Sequence, residues 1–183
     1  MPITTLDPVT ALVVIDLQKG VVGLPGVHAM SGVVANAVAL ARTFRARGLP
    51  VALVNVAGAS PGRTDLKRPP MVRPPGWTDL IPELEQAESD ILVTKYTQGA
   101  FHATALDLHL RRRGTTQIVL CGVATGSGVE ATARQAFEHG YNVTFAADAM
   151  TDASPDAHKH SIEHLFPKLG EVGSTADILK MLP

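Results

Sequence analysis

The chain has 183 residues, of which 45% are hydrophobic and 18% charged, with a formal net charge of −1. This composition excludes a disordered polypeptide, and the near-zero charge excludes the electrostatic footprint of a nucleic-acid or membrane-surface binder. A single cysteine excludes an internal disulfide, the segment Met1–Asp7 lacks the pattern of a secretory signal, and no apolar run approaches membrane-spanning length, so a cytoplasmic protein is expected.

Ala11–Ile15 is an unbroken apolar run that ends at Asp16, the pattern of a strand covered on both faces. Residues 31–47 carry apolar positions at helical spacing and end in an Arg/Gly stop signal (Arg45, Arg47, Gly48). Val51–Val56 reads as a second strand. Residues 57–90 are irregular and rich in proline (Pro61, Pro69, Pro70, Pro74, Pro75, Pro82), which favours a functional loop over a linker. Ile91–Thr94 is a third strand ending at Lys95, followed by a helix over 102–113 that Arg111–Arg113 close ahead of Gly114. Gln117–Cys121 is a fourth strand, residues 129–139 a helix, and Asn142–Ala146 a fifth strand. Ser154-Pro155-Asp156 has the order of a helix start, with a cap, a proline in the first turn and an acid near the dipole. Residues 170–173 can hold a short sixth strand, and Ser174-Thr175-Ala176-Asp177 opens a terminal helix.

Strand and helix alternate without internal repeats. The expected fold is therefore α/β, one domain over residues 1–183, built on a mostly parallel sheet. Ligands of such sheets bind beyond the carboxyl ends of the strands, and Asp16, Lys95 and the segment Gly122–Gly128 all lie at that edge. A carboxylate at the end of an apolar strand needs a partner, and Lys95 is the natural one. This pair is either a structural tie between two strands or part of a catalytic site. The glycine-rich turn ahead of a helix offers backbone N–H donors to an oxyanion or a carboxylate. The alternative is a tight turn that simply needs glycine.

The order of these segments resembles the isochorismatase-like (cysteine hydrolase) superfamily. The matching stretches are Ala11–Gln18 (ALVVIDLQ), Lys95 with Gly99-Ala100-Phe101 and Thr104, Gly122–Thr125 (GVAT), Val129–Ala136 (VEATARQA) and Asp148-Ala149-Met150. The resemblance implies a doubly wound, Rossmann-like sheet of six strands with helices on both faces, and a homo-oligomer (dimer or tetramer). It also implies a cis peptide between Val123 and Ala124, and a catalytic trio at Asp16, Lys95 and residue 128. Most members carry a nucleophilic cysteine at the third position, whereas this chain has Gly128, like the members that cleave the vinyl ether of isochorismate. In those members the Asp resembles a general acid that protonates the enol ether carbon, and no cofactor is needed. The neighbouring Lys95 cation works against the raised pKa that a general acid requires, and desolvation would have to offset it. The turn also departs from the isochorismate hydrolases, which resemble Gly-Val-Tyr-Ala-His where this chain has Gly-Val-Ala-Thr-Gly.

The resulting site prediction is Asp16, Lys95 and Gly128 as the catalytic positions. Val123, Ala124, Thr125, Gly126 and Ser127 form the anion-binding wall, with Gln18, Phe101 and Trp77 as substrate contacts. Gln18 could instead cap its strand, and Phe101 and Trp77 could be ordinary packing. Cys121 is assigned to the core, and Ser127 has no placed histidine to activate it. His158, His160 and His164 are read as a solvated helix face away from the site. Residues 57–75 contain Asp65 but no histidine, so no metal is expected there. The expected partner is a small-molecule substrate, with neither nucleic acid nor membrane. Three functions compete: enol-ether hydrolysis of a small carboxylate, amide hydrolysis by water that Asp16 activates, and a binding or scaffold protein that has lost its nucleophile.

Overall fold

The computed structural model describes residues 3–65 and 73–183. Six strands form one sheet in which every neighbouring pair runs parallel: β1 (Thr10–Ile15), β2 (Val51–Val56), β3 (Ile91–Lys95), β4 (Gln117–Val123), β5 (Asn142–Thr151) and β6 (Glu171–Gly173), in the order β3-β2-β1-β4-β5-β6. The order reverses at β1, so the chain winds in both directions from a central strand. The crevice at such a reversal is where this class of sheet binds ligands.

β1 explains why its sequence lacks polar alternation. Ala11, Val13 and Ile15 face one layer, where Leu106, Leu110, Ala133 and Ala136 complete the core. Leu12 and Val14 face the other, against Ala37, Leu40, Phe44 and Ile178. The first layer contains α3 (Leu106–Arg112) and α4 (Glu130–Glu138), and the second contains α2 (Met30–Ala46) and α6 (Thr175–Met181). Each fully buried Leu or Phe here contributes roughly 1.5–3 kcal/mol. Among the described residues, no helix is long and apolar enough to cross a membrane.

Two helix starts match their sequence signals. Ser154 caps α5 (Pro155–His160) by accepting from the Ala157 N–H, and Ser174 caps α6 by accepting from the Asp177 N–H. Other boundaries differ. The helix expected over 102–113 begins only at Leu106, because residues 99–102 are held by α4. The Thr132 hydroxyl accepts from the Ala100 N–H, and Gln135 Oε1 accepts from Phe101 and His102. β5 runs on to Thr151 rather than stopping at Ala146. Its register against β4 jumps from Leu120–Phe145 to Gly122–Met150, a bulge that contains Asp148. The Asp148 carboxylate accepts from the Thr175 N–H and hydroxyl, so this polar residue within the longer strand is satisfied by α6.

A one-turn helix, α1 (Lys19–Val22), follows β1, and the long segment 57–90 holds a short 3-10 turn at Pro82–Leu84. An antiparallel bridge between Gln18 and Leu80 ties this segment to the end of β1. Pro69 and Pro70 of the expected loop lie outside the described residues.

Candidate active site

Asp16 leaves the apolar strand with φ at 53°, a left-handed conformation that few non-glycine residues adopt and that Asp tolerates better than most. Its N–H still donates to the Val54 carbonyl, so the strand is intact up to this residue. The turn re-aims the carboxylate across the edge of the sheet. There Oδ2 meets Lys95 Nζ at 2.8 Å, with the two side chains 8% and 2% exposed. Lys95 Nζ also donates to the Thr97 carbonyl at 3.3 Å. β2 lies between β1 and β3, so the pair reaches across a whole strand.

The other carboxylate oxygen, Asp16 Oδ1, is buried and has no hydrogen-bond partner among the described residues. Buried polar atoms are almost always paired, so an atom of this kind is where a bound water or a substrate would be received. Burial pushes the Asp16 carboxyl up to about 6 even though Lys95 pulls it down through charge and hydrogen bonding. Desolvation therefore outweighs the ion pair in setting the direction of the shift.

The third element is the turn after β4. Gly122 has φ at 113°, and a Cβ there would lie 2.1 Å from the Ile15 carbonyl oxygen. No side chain fits where β4 passes the end of β1. The Val123–Ala124 peptide is cis. The chain then makes a wide helical turn over Thr125–Val129, in which Ser127 and Val129 both donate to the Ala124 carbonyl. Gly128 sits directly opposite Asp16: a Cβ on it would lie 3.4 Å from Asp16 Oδ2, 3.3 Å from the Val123 carbonyl and 3.1 Å from Ile15 Cγ2. No sulfur is available in this turn. Cys121 is fully buried in the core beneath it, and burial pushes its thiol up to about 12. It cannot serve as a displaced nucleophile.

The structure revises several of the expected contacts. The turn was expected to present free amides, but Gly126 N–H donates to Asp152 Oδ2 at 2.8 Å, and those of Ser127 and Val129 are used internally. Gln18 is fully buried and its amide is spent on the backbone: Nε2 donates to the carbonyls of Val56 and Trp77, and Oε1 accepts from Val56 N–H. It locks the end of β2 to the long loop and has no hydrogen left for a substrate. Phe101 turns into the core, stacked on His139 and beside Tyr141, so its role is packing. Trp77 is half-buried and lies on Gly20, where any Cβ would overlap its indole ring. It stands next to the segment that carries Asp16, and the Arg73 guanidinium lies 5.3 Å from its ring centroid.

The histidine helix is not remote from the site. His158 Nδ1 lies 2.9 Å from the Thr125 hydroxyl, and Thr125 is fully buried. His28 packs edge-on against His158 at 4.8 Å. Asp152, His158 and His28 were the residues that sequence reasoning missed at this site. Asp152 had a usable signal, since it follows a strand at the same edge as Asp16, whereas nothing local pointed to His28. Two surface grooves, of about 590 Å³ outside α2 and about 210 Å³ near Tyr141 and Leu169, are lined by none of these residues. The buried chemistry, rather than the size of a groove, marks the site.

Comparison with known proteins agrees with this geometry. A family model described as the isochorismatase domain matches residues 10–177. The chain is 44% identical over 180 residues to the isochorismatase family protein YecD of Escherichia coli O157:H7, covering 94% of this chain and 96% of that one. It is 30% identical over 199 residues to the ureidoacrylate amidohydrolase RutB of Pseudomonas savastanoi pv. phaseolicola, covering 92% and 81%. Among solved structures, an isochorismatase family protein from Burkholderia thailandensis superposes with a TM-score of 0.94 at 45% identity, covering 98% of both chains. A parallel sheet wound about β1, a domain match over nearly its whole length and relatives of this similarity place the chain in the isochorismatase family of hydrolases.

Proposed function

We propose that the chain is a cofactor-independent hydrolase that cleaves the enol ether of a small carboxylate, isochorismate being the type substrate, with Asp16 as general acid. The observation that carries this reading is the buried Asp16 carboxyl, whose Oδ2 faces Gly128 and whose Oδ1 has no hydrogen-bond partner among the described residues. A carboxyl whose pKa is lifted to about 6 holds its proton far better than an ordinary Asp. Lys95 anchors the other oxygen and keeps the group aimed. The proton goes from Asp16 to the methylene carbon of the enolpyruvyl group, and an oxocarbenium ion forms at the ether carbon. Water adds to that carbon, its proton returns to the carboxylate, and the hemiketal collapses to pyruvate and a dihydroxy diene acid. Gly128 leaves the space beside Asp16 that a cysteine would occupy. Trp77 closes one side of the pocket.

The test is product analysis. Wild-type protein incubated with isochorismate should release one pyruvate per substrate, and Asp16→Ala should lower that rate by roughly 10³-fold or more. Full activity in the variant would refute the role of Asp16. The similarity to RutB, an amidohydrolase by name, favours a second reading in which ionised Asp16 activates water against an amide. Release of ammonia or an amine from a ureido acid, without pyruvate from isochorismate, would select it. Inertness towards both substrate classes would select a binding role. The single, buried Cys121 and the family likeness support a cytoplasmic homo-oligomer, a dimer or tetramer, which light scattering would test.

A further inference from the structure

The segment that follows β5 grips the active-site turn at several points. Asp152 Oδ2 accepts from the Gly126 N–H, while its Oδ1 accepts from the Ser154 N–H and so starts α5. Ala157 packs against Gly126, where a Cβ would lie 3.1 Å from the Ala157 methyl. The Ser161 hydroxyl donates to Glu130 Oε2 at 2.9 Å, just past the turn. Within this buttress, His158 hydrogen-bonds a side chain of the turn itself, the fully buried Thr125 hydroxyl.

His158 is in turn surrounded. His28 stands edge-on to it, with Nδ1 at 2.9 Å from the Met150 carbonyl. A carbonyl only accepts, so His28 carries a proton on Nδ1 and its tautomer is set. The titratable groups facing His158 are His28, from the loop after α1, and Asp152, from the end of β5. Burial and His28 hold His158 below the ordinary histidine range, against the opposing pull of Asp152. Its ring is neutral at neutral pH, and Nδ1 can accept from the Thr125 hydroxyl. Protonation turns Nδ1 into a donor and forces that hydroxyl to reverse.

We propose that His158 is a positioning residue for the active-site turn: by holding the Thr125 hydroxyl it fixes the backbone that carries Gly128 opposite Asp16. The kinetic part of this inference rests on the catalytic reading of Asp16, and the structural part does not. A purely structural histidine would stabilise the fold without coupling its ionisation to the amides of the turn.

The test uses His158→Ala and His158→Asn, the second placing an amide where Nδ1 lies. Backbone amide resonances of Gly126, Ser127 and Gly128 are followed by NMR from pH 5 to 8, together with the His158 ring. In the wild type they should shift with one shared midpoint below 6.5. In His158→Asn that midpoint should vanish while the resonances keep near-native positions. In His158→Ala they should be displaced or broadened, with the rest of the spectrum unchanged. For pyruvate release, kcat should fall roughly 10-fold in His158→Ala with KM little changed, the loss of about one hydrogen bond, and should return to within about 3-fold in His158→Asn. Thr125→Val combined with His158→Ala should cost no more than either alone. Turn amides that ignore both the ring titration and the alanine substitution would overturn the proposal. If His158→Ala fails to fold, the titration in His158→Asn still decides. If the wild type releases no pyruvate, the enol-ether reading fails and the NMR result still decides the positioning role.

Discussion

In the proposed reaction Asp16 carries the chemistry, and its backbone also carries a structural cost. It ends a strand in a left-handed conformation, worth of order 1–3 kcal/mol of strain, and buries a carboxylate oxygen that has no partner among the described residues. A structural ion pair needs neither feature, because apolar residues can replace a buried pair without loss of stability. Gly128 gives this argument a clean test. A methyl there meets Asp16 Oδ2, Ile15 Cγ2 and the Val123 carbonyl oxygen at 3.1–3.4 Å, contacts that ask for shifts of only a few tenths of an ångström from two side chains and one carbonyl. Gly128→Ala should therefore keep its melting temperature within a few degrees while pyruvate release falls roughly 100-fold, because the substrate is displaced by about the width of a methyl group. Parallel thermal melts and product assays separate the two effects. Equal losses of stability and activity would show that Gly128 is needed by the fold instead.

The elements that place Asp16 and Gly128 are the carboxyl ends of β1 and β4, and their contact depends on Gly122. A Cβ at 2.1 Å from the Ile15 carbonyl oxygen, at φ 113°, cannot be accommodated by moving a side chain. Gly122→Ala should destabilise the protein by about 3 kcal/mol or more, seen as a large drop in the denaturation midpoint or as insoluble protein. A native-like midpoint would mean that β4 does not pass β1 this closely. Elements whose signal was local were legible in the sequence. The two-faced apolar run of β1, the Ser154 and Ser174 caps and the glycine-rich turn could each be read from a few neighbouring residues. What could not be read was set by contacts far along the chain. β5 continues past Asp148 because Thr175 satisfies that carboxylate, and the helix after β3 starts late because Gln135 holds the preceding loop. The helix bearing His158 looked like a solvated face because its three histidines crowd a polar segment. Its contact with Thr125 spans 33 residues, which no periodicity reveals.

For the whole molecule, the winding about β1 brings residues 16, 95 and 128 from three separate strand ends to one place at the carboxyl edge of the sheet. The sequence order predicts that edge, but not the balance of forces within it. Desolvation and Lys95 push the Asp16 proton in opposite directions, and the burial that decides between them comes from every layer of the fold. That balance also separates the two hydrolase readings, because an acid and a base need opposite forms of the same carboxyl. The most direct measurement is kcat/KM for pyruvate release from isochorismate between pH 5 and 9, which reports the free enzyme's ionisations. With Asp16 acting as the acid at about 6, the rate should be level below that pH and fall tenfold for each unit above it. A rate that instead rises through pH 6 to a plateau would mean that the ionised carboxylate is the working form, and would contradict general-acid catalysis by Asp16.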